Sequence, residues 1–144
     1  MTKTFHQFIN DHNGKYLTTT PKLGPQCVAL IRYYCEEVLG LSKWTLPCAT
    51  YAYQIFDKFP DVGDCNFTKI RNTPTGVPKR GDIIFSRKIV NGKIKWQHVS
   101  IFSDGDVNKY ISFDQNWPKG RFCCFVNHNY EGVIGWLHPK TYIY

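Results

Sequence analysis

The sequence has no C-x-x-C pair, so it lacks the usual ligand spacing of tetrahedral zinc sites and zinc fingers. It has no apolar run approaching the length needed to cross a bilayer, and membrane insertion is not expected. Long blocks of like charge are also missing. Lys79-Arg80 and Arg87-Lys88 are short basic pairs that suit solvated strand ends. Basic and aromatic residues do not interleave as they do in RNA-binding motifs, so nucleic acid is not an expected partner. No apolar h-region follows Met1-Thr2-Lys3-Thr4-Phe5, and a chain made in the cytoplasm without a signal peptide is expected. There is no internal repeat, low-complexity segment or dividing linker, which predicts a single domain over residues 1–144; a monomer is the expected state.

What is present suits a folded domain with a real core. The chain has 144 residues, of which 42% are hydrophobic and 16% aromatic. The net charge is +7 and the isoelectric point is near 9.1. That balance favours anionic surroundings. The six cysteines are Cys27, Cys35, Cys48, Cys65, Cys123 and Cys124. Without a secretory signal, most are expected to be reduced, small, buried apolar residues.

The hydrophobic period changes along the chain. Phe5, Phe8 and Ile9 fall at helical spacing, and Asn13-Gly14 ends that segment. Residues 15–25 read as a loop. From Gln26 to about Leu39 an apolar stripe predicts a helix that stops at Gly40. A further helix is predicted over Cys48 to Phe59, closed by Pro60. Residues 60–81 are rich in turn formers. Short β-like runs then follow at Asp82–Arg87, Ile94–Phe102, Lys109–Asp114, Arg121–Asn127 and Gly132–Leu137, with Asn91-Gly92 as a hairpin turn. Helices first and a strand meander after predict an α+β fold, with N-terminal helices packed on an antiparallel sheet.

Three positions could carry chemistry. Cys27 opens a predicted helix, where unsatisfied N–H groups and the macrodipole favour the thiolate that a nucleophile requires. A cysteine is by default a buried apolar residue, so the helix start is the distinguishing feature. His98 lies in the run Gln97-His98-Val99-Ser100-Ile101, sharing a strand face with Trp96 and Ser100, and is expected to face the helix that carries Cys27. The other histidines, His6, His12, His128 and His138, lack a comparable setting. An imidazole base needs a third group on its other nitrogen. Asp114 or Asn116 could supply it from a neighbouring strand, and the residues leave that choice open. The backbone N–H of Cys27 and the Gln26 side chain are candidate oxyanion donors.

Cysteine, then histidine, then carboxylate or amide is the chain order of papain-like thiol hydrolases. Gly24-Pro25-Gln26-Cys27-Val28-Ala29-Leu30, Pro78-Lys79-Arg80-Gly81-Asp82-Ile83-Ile84, Gln97-His98-Val99-Ser100-Ile101 and Asp114-Gln115-Asn116-Trp117 follow one another at fitting distances. Ile134-Gly135-Trp136-Leu137-His138-Pro139 closes the series. Together they resemble the CHAP domains, the cysteine- and histidine-dependent amidohydrolases/peptidases of bacterial and phage cell-wall hydrolases.

The resemblance spans nearly the whole chain and implies a papain-like fold that hydrolyses amide bonds of peptidoglycan. It implies Cys27 as nucleophile and His98 as base, with Asp114 at the acidic position and Asn116 at the amide position. Gln97 and Trp117 join Gln26 as expected substrate-binding residues. No cofactor is implied. Three departures matter, one of them Gln97 in place of the usual glycine before the histidine. Ala29 stands where many members have Asp, and Thr18-Thr19-Thr20-Pro21-Lys22-Leu23 replaces an acid-rich loop. A calcium site of the family type is therefore not expected, with Asp11 and Asn13 as its only conceivable remnant. The implied setting is a phage endolysin released through a holin pore, or a protein of the phage particle. The implied partners are peptidoglycan and anionic wall polymers. Two rival readings are a catalytically silent wall-binding module and a thiol amidase or protease with a non-wall substrate.

Overall fold

The computed structural model describes residues 2–19, 26–141 and 143. Gly24 and Pro25, the expected entry turn of the nucleophile segment, lie outside the described residues, as do Thr20 to Leu23. Helix α1 (Phe5–His12) opens on a capping box: Thr4 Oγ1 accepts from Gln7 N–H, and Gln7 Oε1 accepts from Thr4 N–H. Phe5, Phe8 and Ile9 are buried, as their spacing predicts, and Asn13 and Gly14 end the helix. Helix α2 (Cys27–Glu37) buries Leu30, Ile31, Tyr34 and Cys35. It stops before Gly40, the expected stop, which takes a positive φ.

Helix α3 (Tyr53–Lys58) is shorter than the predicted Cys48–Phe59. The difference has a local cause. Tyr51 N–H donates to Gln54 Oε1, and Ala52 N–H donates to Gln97 Oε1. Just upstream, the carbonyls of Lys43, Leu46 and Pro47 accept from the buried Arg32 guanidinium. Backbone groups in this stretch are therefore committed to side chains, and the helix begins after them.

Six strands form one antiparallel sheet: β1 (Phe67–Arg71), β2 (Ile83–Val90), β3 (Lys93–Gly105), β4 (Lys109–Asp114), β5 (Cys124–Asn129) and β6 (Val133–Pro139), in the order β1-β6-β2-β3-β4-β5. The fold is α+β, as the pattern predicts. β1 was hidden inside the turn-rich stretch 60–81. It is an edge strand with only Phe67 buried, so it shows no clean alternation. The Asn91-Gly92 turn joins β2 to β3 with φ of 51° and 74°, which suits the two left-handed positions of a type I′ hairpin.

The two faces of the sheet differ. Phe85, Val99, Ile101 and Phe113 pack with the helices in one large core that also holds Phe8, Leu30 and Tyr34. Burying each such ring contributes about 2–3 kcal/mol. Ile84, Phe102, Tyr110, Val133 and Trp136 form a smaller cluster. Gly135 has no side chain because a Cβ there would collide with the Phe56 ring of α3.

One feature of the register positions the site. β3 pairs with β2 along Lys93–Ile101, but with β4 only from Ile101 to Gly105. Around His98, β3 therefore has no strand on its β4 side. The end of β4 and the tip of α2 meet it there.

Candidate active site

Cys27 is the first residue of α2 and is 6% exposed. Its thiol lies close enough to the His98 ring to raise the ring's pKa. His98 was expected to face the helix; the strand alternation corrects this. Val99 and Ile101 point into the core beneath α2, so His98 lies on the opposite pleat. It meets α2 only at its N-terminal tip, beyond the end of β4.

His98 Nε2 lies 2.7 Å from Asp114 Oδ2, and both side chains are buried. A carboxylate can only accept, so the proton of this bond sits on His98 Nε2. That leaves Nδ1 for the sulfur. Ile101 pairs with Phe113, so one step further along the ladder Asp114 stands across from Ser100 and diagonal to His98. Ser112 Oγ donates to the other Asp114 oxygen at 2.5 Å.

The electrostatics follow the geometry. Burial alone would lower the His98 pKa, but the hydrogen bonds and charges of Asp114 and Cys27 raise it to about 9. Burial would raise the Asp114 pKa, yet donors from His128 and His98 hold it below the usual carboxylate value. These shifts favour an imidazolium beside the Asp114 carboxylate. By contrast, burial pushes the Cys35 and Cys123 thiols up to about 12. They are chemically quiet cysteines. Among the described residues all six cysteines are free; Cys27, Cys35, Cys123 and Cys124 are buried, as expected of most of them, and Cys48 and Cys65 are exposed.

Asn116 does not touch His98. It takes a left-handed φ of 65°, and its Oδ1 accepts from Gly120 N–H at 2.6 Å. The β-strand that would have put Asp114 and Asn116 on one face ends at Asp114. The structure therefore brings Asp114, and not Asn116, to the histidine. Trp117 packs its ring against His98 with centroids 4.8 Å apart. Gln26 and Gln97 line a cavity of about 400 Å3 with Cys27, walled by Arg32, Trp44 and Cys48. Gln97 is also held by Ala52 N–H, which fixes that wall.

Three contributors were not legible beforehand. His128, on β5, places Nε2 2.8 Å from Asp114 Oδ2. The sequence pattern ends this strand at Asn127, whereas β5 runs to Asn129 and so includes His128. Gln115 is fully buried. Its Nε2 donates to the carbonyls of Leu17 and Gln26, and its Oε1 accepts from Leu17 N–H. Arg32 pins the 43–47 segment that walls the cavity. His98, Asp114 and His128 each offer one ligand atom, all within 4.8 Å of one another, and so could share a metal ion. Two hydrogen bonds already join them. Asp11, the conceivable calcium remnant, is paired with Lys3 at 2.8 Å.

Solved structures with this fold include that of the wild-type endolysin LysIME-EF1, with a TM-score of 0.73 and 22% identity over 96% of this chain. Ly7917 is another, with a TM-score of 0.62 and 14% identity over 92% of this chain. The chain spans 65% and 60% of the lengths of those two proteins. No family model matches the sequence, and no curated protein does. At these identities the likeness concerns the fold.

Proposed function

We propose that this chain is a cysteine hydrolase of the CHAP type that cleaves an amide bond in the peptide part of bacterial peptidoglycan. The observation that carries the reading is the line Cys27, His98, Asp114 at the start of a helix. The fold it shares with an endolysin adds support for a wall substrate.

The chemistry follows from the geometry. His98 Nδ1 takes the Cys27 proton while Asp114 holds the resulting imidazolium. The thiolate, favoured by the N-terminus of α2, attacks the substrate carbonyl carbon. Oxyanion charge falls near the backbone N–H of Cys27, with the Gln26 side chain as the second donor. His98 Nδ1–H then protonates the leaving amine as the C–N bond breaks. Water, deprotonated by the same nitrogen, attacks the thioester and frees Cys27. The bond is either a peptide bond of the stem or cross-bridge, or the amide joining muramic acid to L-alanine.

In this reading the chain is made in a host cytoplasm and reaches the wall through a holin-type pore or as part of a phage particle. The test is digestion of purified peptidoglycan by wild type and by Cys27→Ala, with new termini identified by mass spectrometry. New free amines from the wild type alone support the proposal, and the acid partner of each tells peptidase from amidase. No product from the wild type would favour a silent wall-binding module or a non-wall substrate.

A further inference from the structure

We propose that His128 is a positioning residue of this site, acting on His98 through the Asp114 carboxylate. The proposal rests on the reading of Cys27 and His98 as a nucleophile and its base.

Asp114 Oδ2 sits 2.7 Å from His98 Nε2 and 2.8 Å from His128 Nε2. Both contacts need a proton on the ring, because the ionised carboxylate can only accept. The two histidines therefore share one acceptor oxygen. Without His128, the carboxylate would keep Ser112 as its one anchor besides the base it must orient. Ser112 is only two residues away on the same strand. His128 supplies an anchor from the neighbouring strand, across the β4–β5 ladder in which it pairs with Tyr110.

The His128 ring is itself held. It stacks on Tyr110 with centroids 5.1 Å apart and an interplanar angle of 27°. Trp117 covers it at 5.8 Å and also packs on His98 at 4.8 Å. Its side chain is 12% exposed and borders a cavity of about 270 Å3 that His98 and Trp117 also line. A ring so wedged has one useful direction for Nε2–H, which is toward Asp114. Rotation of that carboxylate would turn the His98 ring and move Nδ1 off the sulfur. Misplacements of about 1 Å cost rates on the order of a hundredfold.

A merely structural role would also satisfy the buried carboxylate, so the test must separate the two. His128→Leu removes the donor, and His128→Gln returns one of similar reach. Each is made in the wild-type background, and His128→Leu also in Asp114→Ala, which removes the atom through which His128 acts. Two rates are measured at neutral pH: peptidoglycan hydrolysis, and alkylation of Cys27 by iodoacetamide followed by peptide mass spectrometry.

His128→Leu is expected to lower kcat and the alkylation rate about tenfold to a hundredfold, with KM within about twofold. His128→Gln should recover most of the loss. In the Asp114→Ala background His128→Leu should change nothing further. Unchanged rates in His128→Leu, or the same fold-loss in both backgrounds, would overturn the proposal. Should His128→Leu fail to fold, His128→Asn, too short to reach Asp114, replaces it. If the wild type cleaves no peptidoglycan, the wall reading fails alone, and the alkylation rates still decide the role of His128.

Discussion

Gln115 Nε2 donates to the carbonyl of Gln26 at 2.8 Å, tying the residue after Asp114 to the residue before Cys27. The Cys27 and Asp114 segments thus hang from one buried amide. The same side chain clamps Leu17 through both its N–H and its C=O. Gln115→Met keeps the volume but removes every one of these bonds. Each buried backbone group left unpaired costs about 1–3 kcal/mol. The variant should melt well below wild type and lose Cys27 reactivity. Thermal melts and alkylation rates check this, and a wild-type melt with wild-type reactivity would remove Gln115 from the site's framework.

Asp114 and Asn116 should behave very differently. Asp114 holds the His98 ring, so Asp114→Ala should cost on the order of a hundredfold to ten-thousandfold in kcat. Asn116 caps Gly120 N–H in a turn. Asn116→Gly, which suits its positive φ, should leave kcat within about threefold. Steady-state kinetics on both variants decides it; a larger loss at Asn116 would reverse the assignment.

Stability should carry a signature of the His98 pair in its pH dependence. The folded pKa of His98, about 9, lies above its ordinary 6.5. Its contribution is therefore complete below pH 6.5 and is lost as pH rises through 9. Asp114 has the opposite sign: its contribution is present above 3.8 and is lost as pH falls through its depressed folded value. The Cys35 and Cys123 thiols add their own loss only above 9, where unfolded thiols ionise. Between pH 6.5 and 9 the melting temperature should thus fall. For a chain of this size each kcal/mol moves it by roughly 3 °C. The slope should be shallower in Asp114→Ala. Equal slopes by scanning calorimetry would count against a charged His98 in the folded protein.

The net charge of +7 suggests that anionic wall polymers hold the protein at its substrate. Strong salt should then weaken lysis of whole cells more than cleavage of a soluble muropeptide, because screening acts on long-range attraction. Equal loss in both assays would sink the idea.

Much of this was legible in the sequence, for physical reasons that differ by element. The spacing of Phe5, Phe8 and Ile9 and the Asn91-Gly92 turn are local signals, and both reappear in the structure. β1 escaped because an edge strand with one buried residue has no period to read. The start of α3 escaped because its backbone groups go to Gln97 and Gln54, a tertiary and a local choice that propensity does not encode. Within the site, chain order pointed to Cys27 and His98 and left Asp114 and Asn116 as alternatives, because only the end of β4 at Asp114 separates the two. His128 and Gln115 were missed because their roles exist only once β4, β5 and the loop before α2 are side by side.

The reactivity of Cys27 tests the central claim most directly. Wild-type protein is treated with iodoacetamide at neutral pH, and alkylation of all six cysteines is followed against residual peptidoglycan hydrolysis. Cys27 should react faster than even the exposed Cys48 and Cys65, with activity falling in step with its modification, and His98→Ala should abolish the advantage. Cys27 reacting no faster than Cys48, or hydrolysis surviving its complete alkylation, would contradict a Cys27 nucleophile.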